Sequence, residues 1–175
     1  HPYFWKQGIG TRLVQEAGLR GAQLRLIVPW APRPYLTKPA AIASIIQGRL
    51  NAAGVAVSLV STKTSEEYFR YLADGTFDLA LGGWIADTAD PADYLEALLS
   101  SDAIGNATCA NYSRWKDADT DALLARFRVD PSEANHRDIE RIVADGVPFL
   151  PLVYGQSAAV HTRRIRNVVL TATGS

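Results

Sequence analysis

The period of the apolar positions changes several times along the chain, and each change marks an element. Residues 23–28 (QLRLIV) alternate and then run apolar, which predicts a strand. Pro39 opens a stretch in which Ile42, Ile45, Ile46, Leu50 and Ala53 recur at spacings of three and four, and Gly54 closes it; this predicts a helix. Residues 55–60 (VAVSLV) alternate as a second strand. Ser65 then starts a helix with Tyr68, Leu72 and Ala73 on its apolar face and Gly75 as its stop. Residues 77–81 (FDLAL) carry almost no polar relief, the pattern of a third strand covered on both faces. A short helix ending over Leu13 to Ala17, closed by Gly18, precedes them all. The β-α-β-α-β order predicts a parallel sheet with right-handed crossovers.

The second half reads differently. Pro91 to Leu99 is a helix, Ser100 to Asn111 a polar loop, and Asp119 to Phe127 and Ser132 to Asp145 two further helices. Asp130-Pro131 between them is a turn and an N-terminal entry. Phe149 to Tyr154 and Ile165 to Leu170 are expected to be late strands. No Pro/Gly/Ser-rich linker divides the chain, so residues 1–175 are expected to form a single α/β lobe, a mostly parallel sheet flanked by helices.

Charge and composition narrow the function. The chain has 18 basic and 18 acidic residues, and a net charge of zero removes the electrostatic case for a nucleic-acid binder. The short basic run Arg163, Arg164, Arg166 reads as a solvated strand end. No apolar stretch approaches the ~18–20 residues that span a bilayer; the longest, Val147 to Val153, is interrupted by Pro148 and Pro151. The first residues, HPYFWKQG, lack the features of a signal peptide, and the chain holds no Met, so a piece of a longer polypeptide is expected. Cys109 stands alone, which leaves no intrachain disulfide and no compartment signal.

Two predicted strand ends carry unusual sequence. The first runs into PWAPRPYL (29–36) and the third into GGWIADTADP (82–91). In an open α/β sheet ligands sit beyond the carboxyl ends of the strands, and both segments are expected on that edge. They bring Arg33 and Asp87, opposite charges, among Trp30, Tyr35 and Trp84. The alternative is two ordinary loops whose aromatic residues cap the core. The acids at 87, 90 and 93 do not fit a calcium loop, because they are three apart and Pro91 interrupts them. If a helix begins at Pro91, Asp90 is its N-cap and Asp93 lies in its first turn; both then have structural work, and Asp87 does not. His1, His136 and His161 lie far apart, and no nucleophile elbow, P-loop, zinc motif or paired-Cys motif occurs. No cofactor is implied. Asn106 and Asn111 head N-A-T and N-Y-S acceptor patterns of the kind common by chance. A metal-dependent α/β hydrolase using the strand-end acids is the rival from a different class.

In combination, R-P-Y after the first strand, G-W-x-x-D-x-x-D-P after the third, and N-Y-S-R-W later resemble the solute-binding proteins of bacterial peptide ABC importers, the dipeptide- and oligopeptide-binding family. The similarity runs from about Leu13 to Leu170. It implies a type II periplasmic-binding-protein-like lobe, the second of two joined by a hinge, with the first lobe missing here. It also implies an extracytoplasmic location, a peptide or other small solute as ligand, ABC permease subunits as partners, and no enzymatic activity. By the same resemblance Asp87 would bind a peptide ammonium, Trp84 would line the same pocket, and Arg33 would pair with the ligand carboxylate. The family often brackets N-Y-S-R-W with two cysteines; here Ser101 or Asp102 and Lys116 stand there, and Cys109 falls inside an insertion.

Overall fold

The computed structural model describes residues 8–85, 88, 90–105, 110–153 and 160–168. They divide into two compact units, residues 1–83 and 84–175.

The first unit is a three-stranded parallel sheet with its helices: α1 (Ile9–Glu16), β1 (Gln23–Val28), α2 (Pro39–Ala53), β2 (Ala56–Ser61), α3 (Ser65–Asp74) and β3 (Leu79–Ala80). Strand order is β2-β1-β3, and β1 is parallel to both neighbours. Its core joins Leu26, Val28, Leu36, Ala43, Val55, Val57 and Leu81, so the central strand is buried from both sides along its second half. The helices stop where the sequence says they stop: Gly54 and Gly75 close α2 and α3 in the left-handed conformation, which costs an L side chain and suits glycine.

Two expectations need correction here. Ile45 is 63 % exposed, because the buried stripe of α2 runs along Pro39, Ile42, Ala43, Ile46 and Leu50, and Ile45 falls off it. The third strand is two residues long and is not covered on both faces; Ala80 is exposed. Just before this strand the Asp78 N–H donates to the Arg25 carbonyl at 3.3 Å, while the Asp78 carboxylate accepts the Arg25 N–H at 2.7 Å. The outer edge of β2 is also occupied by side chains. From α2, Asn51 Oδ1 accepts the Val57 N–H at 2.9 Å, and Gln47 Nε2 donates to the Val57 carbonyl at 2.7 Å.

The second unit is helical among its described residues: α4 (Pro91–Leu99), a single 3-10 turn over Ser101–Ala103, α5 (Ala118–Val129) and α6 (Glu133–Gly146). Leu95, Leu99, Leu124, Phe127 and Ile139 form its core. Each helix begins at a side-chain cap: Asp90 accepts from the Ala92 N–H, Asp117 from Thr120, and Ser132 from Asn135. The late strands do not form over the described parts of their ranges, 149–153 and 165–168. Pro148 and Pro151 lack the N–H a ladder needs, and no strand lies beside either segment among the described residues. Leu150, Leu152, Val153, Ile165 and Val168 are left exposed. Tyr154, Val169 and Leu170 lie outside the described residues, and no helix of the described residues is long and apolar enough to cross a membrane.

Candidate functional site

The segment after β1 is a rigid hook. Arg33 and Leu36 exchange both backbone hydrogen bonds, N–H to O at 3.0 Å and 2.9 Å, around the two-residue loop Pro34-Tyr35. Leu36 is 4 % exposed and anchors the hook in the first unit's core. Pro29, Pro32 and Pro34 fix φ through the approach and the turn, which removes freedom the ligand would otherwise have to freeze.

The Arg33 side chain lies back along this hook. Its guanidinium carbon sits 4.3 Å from the Trp30 ring centroid and 6.0 Å from that of Phe69, so an aromatic face holds the cation. Nε and Nη2 are both buried, and neither has a hydrogen-bond partner among the described residues. These two nitrogens make up one edge of the guanidinium, with parallel N–H bonds. Leaving a buried donor unmade costs about 1–3 kcal/mol, and an acceptor with two oxygens has the geometry to engage two such adjacent donors.

The ends of the first and third strands do meet. Tyr35 lies against the backbone of Gly83: a Cβ built on Gly83 would fall 2.3 Å from Tyr35 Cδ2 and 2.6 Å from Cε2. Tyr68 from α3 donates its hydroxyl to the Leu81 carbonyl at 3.0 Å, which fixes the exit of β3. The Gly-Gly pair therefore has a packing reason: an aromatic ring occupies the space a side chain would need.

In the second unit Trp84 meets Tyr94 edge to face, with ring centroids 6.5 Å apart. Its Nε1 is buried without an acceptor among the described residues. Asp87 lies outside the described residues. Asp90 caps α4, and Asp93 accepts a hydrogen bond from the Thr88 hydroxyl, so both acids have the structural duties that helix capping predicts. Among the described residues no group of three His, Cys, Asp or Glu side chains converges as metal ligands would. Arg33, Trp30 and Tyr35 are thus brought together in the first unit, and Trp84 is placed in the second.

Sequence reasoning missed Phe69. It lies one position from Tyr68, off the buried face of α3, and is 46 % exposed. A large aromatic residue at a non-core helical position was the available signal. The N-Y-S-R-W segment, by contrast, is structural. Asn111 is 1 % exposed, its amide donates to the Ser100 and Trp115 carbonyls at 2.9 Å each, and its Oδ1 accepts from the Ser113 hydroxyl and the Trp115 N–H. A side chain so enclosed cannot carry a glycan, which disposes of that acceptor pattern; Asn106 and Cys109 lie outside the described residues. Trp115 donates its indole N–H to Thr120 at 3.0 Å, and its ring covers Gly146, where a Cβ would fall 2.2 Å from Cη2.

Residues 10–106 match the family described as bacterial extracellular solute-binding proteins, family 5 Middle. The chain belongs to this family. Curated relatives include a di/tripeptide-binding protein 4 of Pseudomonas aeruginosa, 29 % identical over 90 % of this chain and 30 % of its own length. Another is a probable ABC transporter periplasmic-binding protein, SapA, of Escherichia coli, 28 % identical over 93 % of this chain and 30 % of its own length. Among solved structures, HbpA2 from Haemophilus parasuis superposes with a TM-score of 0.75 at 25 % identity, over 85 % of this chain and 30 % of that one. The fold is that of the periplasmic solute-binding proteins, and this member spans about 30 % of the length of the curated relatives it matches. The family is one of solute binding rather than catalysis, and the metal-dependent hydrolase finds no support in it.

Proposed function

We propose that residues 1–175 are the second lobe of an extracytoplasmic binding protein that captures short peptides and delivers them to an ABC permease. The observation that carries the ligand class is the Nε/Nη2 edge of Arg33, unpaired among the described residues and flanked by Trp30 and Phe69. A planar guanidinium offering two parallel donors fits a carboxylate, as at a peptide C-terminus. The name of the Pseudomonas relative, a di/tripeptide-binding protein, agrees with that chemistry.

A short peptide is a zwitterion, so its other end needs an anion. Asp87 takes that role in this reading, and Trp84, from the same G-W-x-x-D motif, offers an indole N–H and an aromatic wall. Closure of two lobes on the ligand would desolvate both charges, which is tolerable only when each is paired. The test is calorimetry on the two-lobe parent protein with alanyl-alanine. Arg33→Met and Asp87→Ala are each expected to cost about 2–5 kcal/mol of binding free energy. Unchanged affinity in Arg33→Met would remove the carboxylate role, and unchanged affinity in Asp87→Ala the ammonium role.

A further inference from the structure

We propose that Gly83 is a positioning residue for Arg33, acting through the ring of Tyr35. The inference rests on the carboxylate role of Arg33 and adds a component to it.

The chain of contacts is short. Tyr35 is one of the two loop residues of the hook whose ends, Arg33 and Leu36, are tied by two backbone hydrogen bonds. Leu36 is buried in the core, and the neighbouring Tyr35 is partly buried and packs against the same cluster. Its ring also lies against the backbone of Gly83. Three Tyr35 ring atoms lie within 2.9 Å of where a Gly83 Cβ would be. Backbone cannot give way as a flexible side chain can, and an aromatic ring cannot bend, so a methyl group at residue 83 must move the ring and with it the loop. Gly83 has no positive φ to account for its glycine, unlike Gly54 or Gly75; close approach is its reason. Two positions before Tyr35 sits Arg33, its guanidinium 4.3 Å from the Trp30 ring centroid and its Nε and Nη2 unpaired among the described residues. Two-pronged recognition is sensitive to displacement, because both N–H bonds must align at once.

This predicts a specific readout. Arg33 in its place distinguishes a free carboxylate from a neutral amide, so the protein should prefer alanyl-alanine over alanyl-alaninamide. The measurement is that preference, by calorimetry on the two-lobe parent, for wild type, Gly83→Ala, Tyr35→Ala and the double variant, with thermal melts confirming that each is folded. Gly83→Ala is expected to cut the preference about tenfold. Tyr35→Ala, which frees the hook, is expected to cut it as well. Adding Gly83→Ala to Tyr35→Ala should then change it less than about twofold, because the two act as one contact. Equal effects of Gly83→Ala in both backgrounds, or a full preference in folded Tyr35→Ala, would overturn the proposal. The Tyr35→Ala arm decides the matter even if Gly83→Ala does not fold. A wild type without any acid-over-amide preference would instead refute the carboxylate reading itself, and the positioning role with it.

Discussion

At the scale of single residues, buried amides and unpaired cations are easy to tell apart by what surrounds them. Asn111 has every polar atom engaged, by Ser100, Ser113 and both backbone groups of Trp115. Asn111→Ala leaves several buried groups without partners at once and is expected to cost about 3 kcal/mol of stability. A guanidinium titration showing a loss well under about 1 kcal/mol would mean that the loop re-pairs with water or backbone. Arg33 is the opposite case: aromatic rings flank the cation, and its Nε and Nη2 have no hydrogen-bond partner among the described residues. Both residues sit in motifs visible in the sequence, R-P-Y and N-Y-S-R-W. The sequence pattern alone could not assign one to binding and the other to architecture, because motif spacing says nothing about saturation. Phe69 carried only an indirect signal, its size at a non-core helical position; its nearness to Arg33 depends on a segment far away in the chain.

At the scale of elements, helix starts were the most legible feature. The sequence puts helix starts at Ser65, Pro91, Asp119 and Ser132 and names Asp90 as a cap; in the structure Thr64, Asp90, Asp117 and Ser132 are the caps, each accepting from the backbone of the turn it precedes. These are local events within four residues, which is why sequence shows them. Strands depend on a neighbour that may be far away in the chain. Residues 149–153 have apolar strand composition yet no ladder among the described residues, and β3 holds only Leu79–Ala80. The cap at Asp117 also carries a pH signature. Its carboxyl lies below the usual carboxylate range because the Thr120 hydroxyl and backbone N–H both donate to it. A folded-state value below the unfolded one gives stability that is present above the unfolded pKa and lost as pH falls through the folded one. Asp117→Ala should therefore lower the melting temperature at neutral pH, and the gap to wild type should shrink on acidification below about pH 4. A gap independent of pH would place the effect in packing rather than in the charged cap.

At the scale of the whole molecule, the chain holds two separate apolar cores and about 30 % of the length of its curated relatives. Ligand sites of this kind gain affinity by burying most of the ligand surface. In the reading proposed above this chain supplies half of that enclosure, so a ligand carboxylate paired with Arg33 would keep its far side in water, where a charge pair is worth about 1 kcal/mol or less. The isolated 175-residue chain is therefore expected to bind alanyl-alanine at least about a hundredfold more weakly than the two-lobe parent. Calorimetry on both checks this, and equal affinities would show that the single lobe carries a complete site.

The side chains that α2 lays along β2 bear on the life of such a lobe in solution. An open sheet of three strands has two rims, and a rim of free amides and carbonyls is a template on which another chain can zip. Gln47 and Asn51 occupy both backbone groups of Val57, the first outward-facing position of β2. A visiting strand would have to break two short hydrogen bonds before making its own. The same helix that packs on the sheet thus also closes its border at Val57, where two amides rather than charges occupy the backbone.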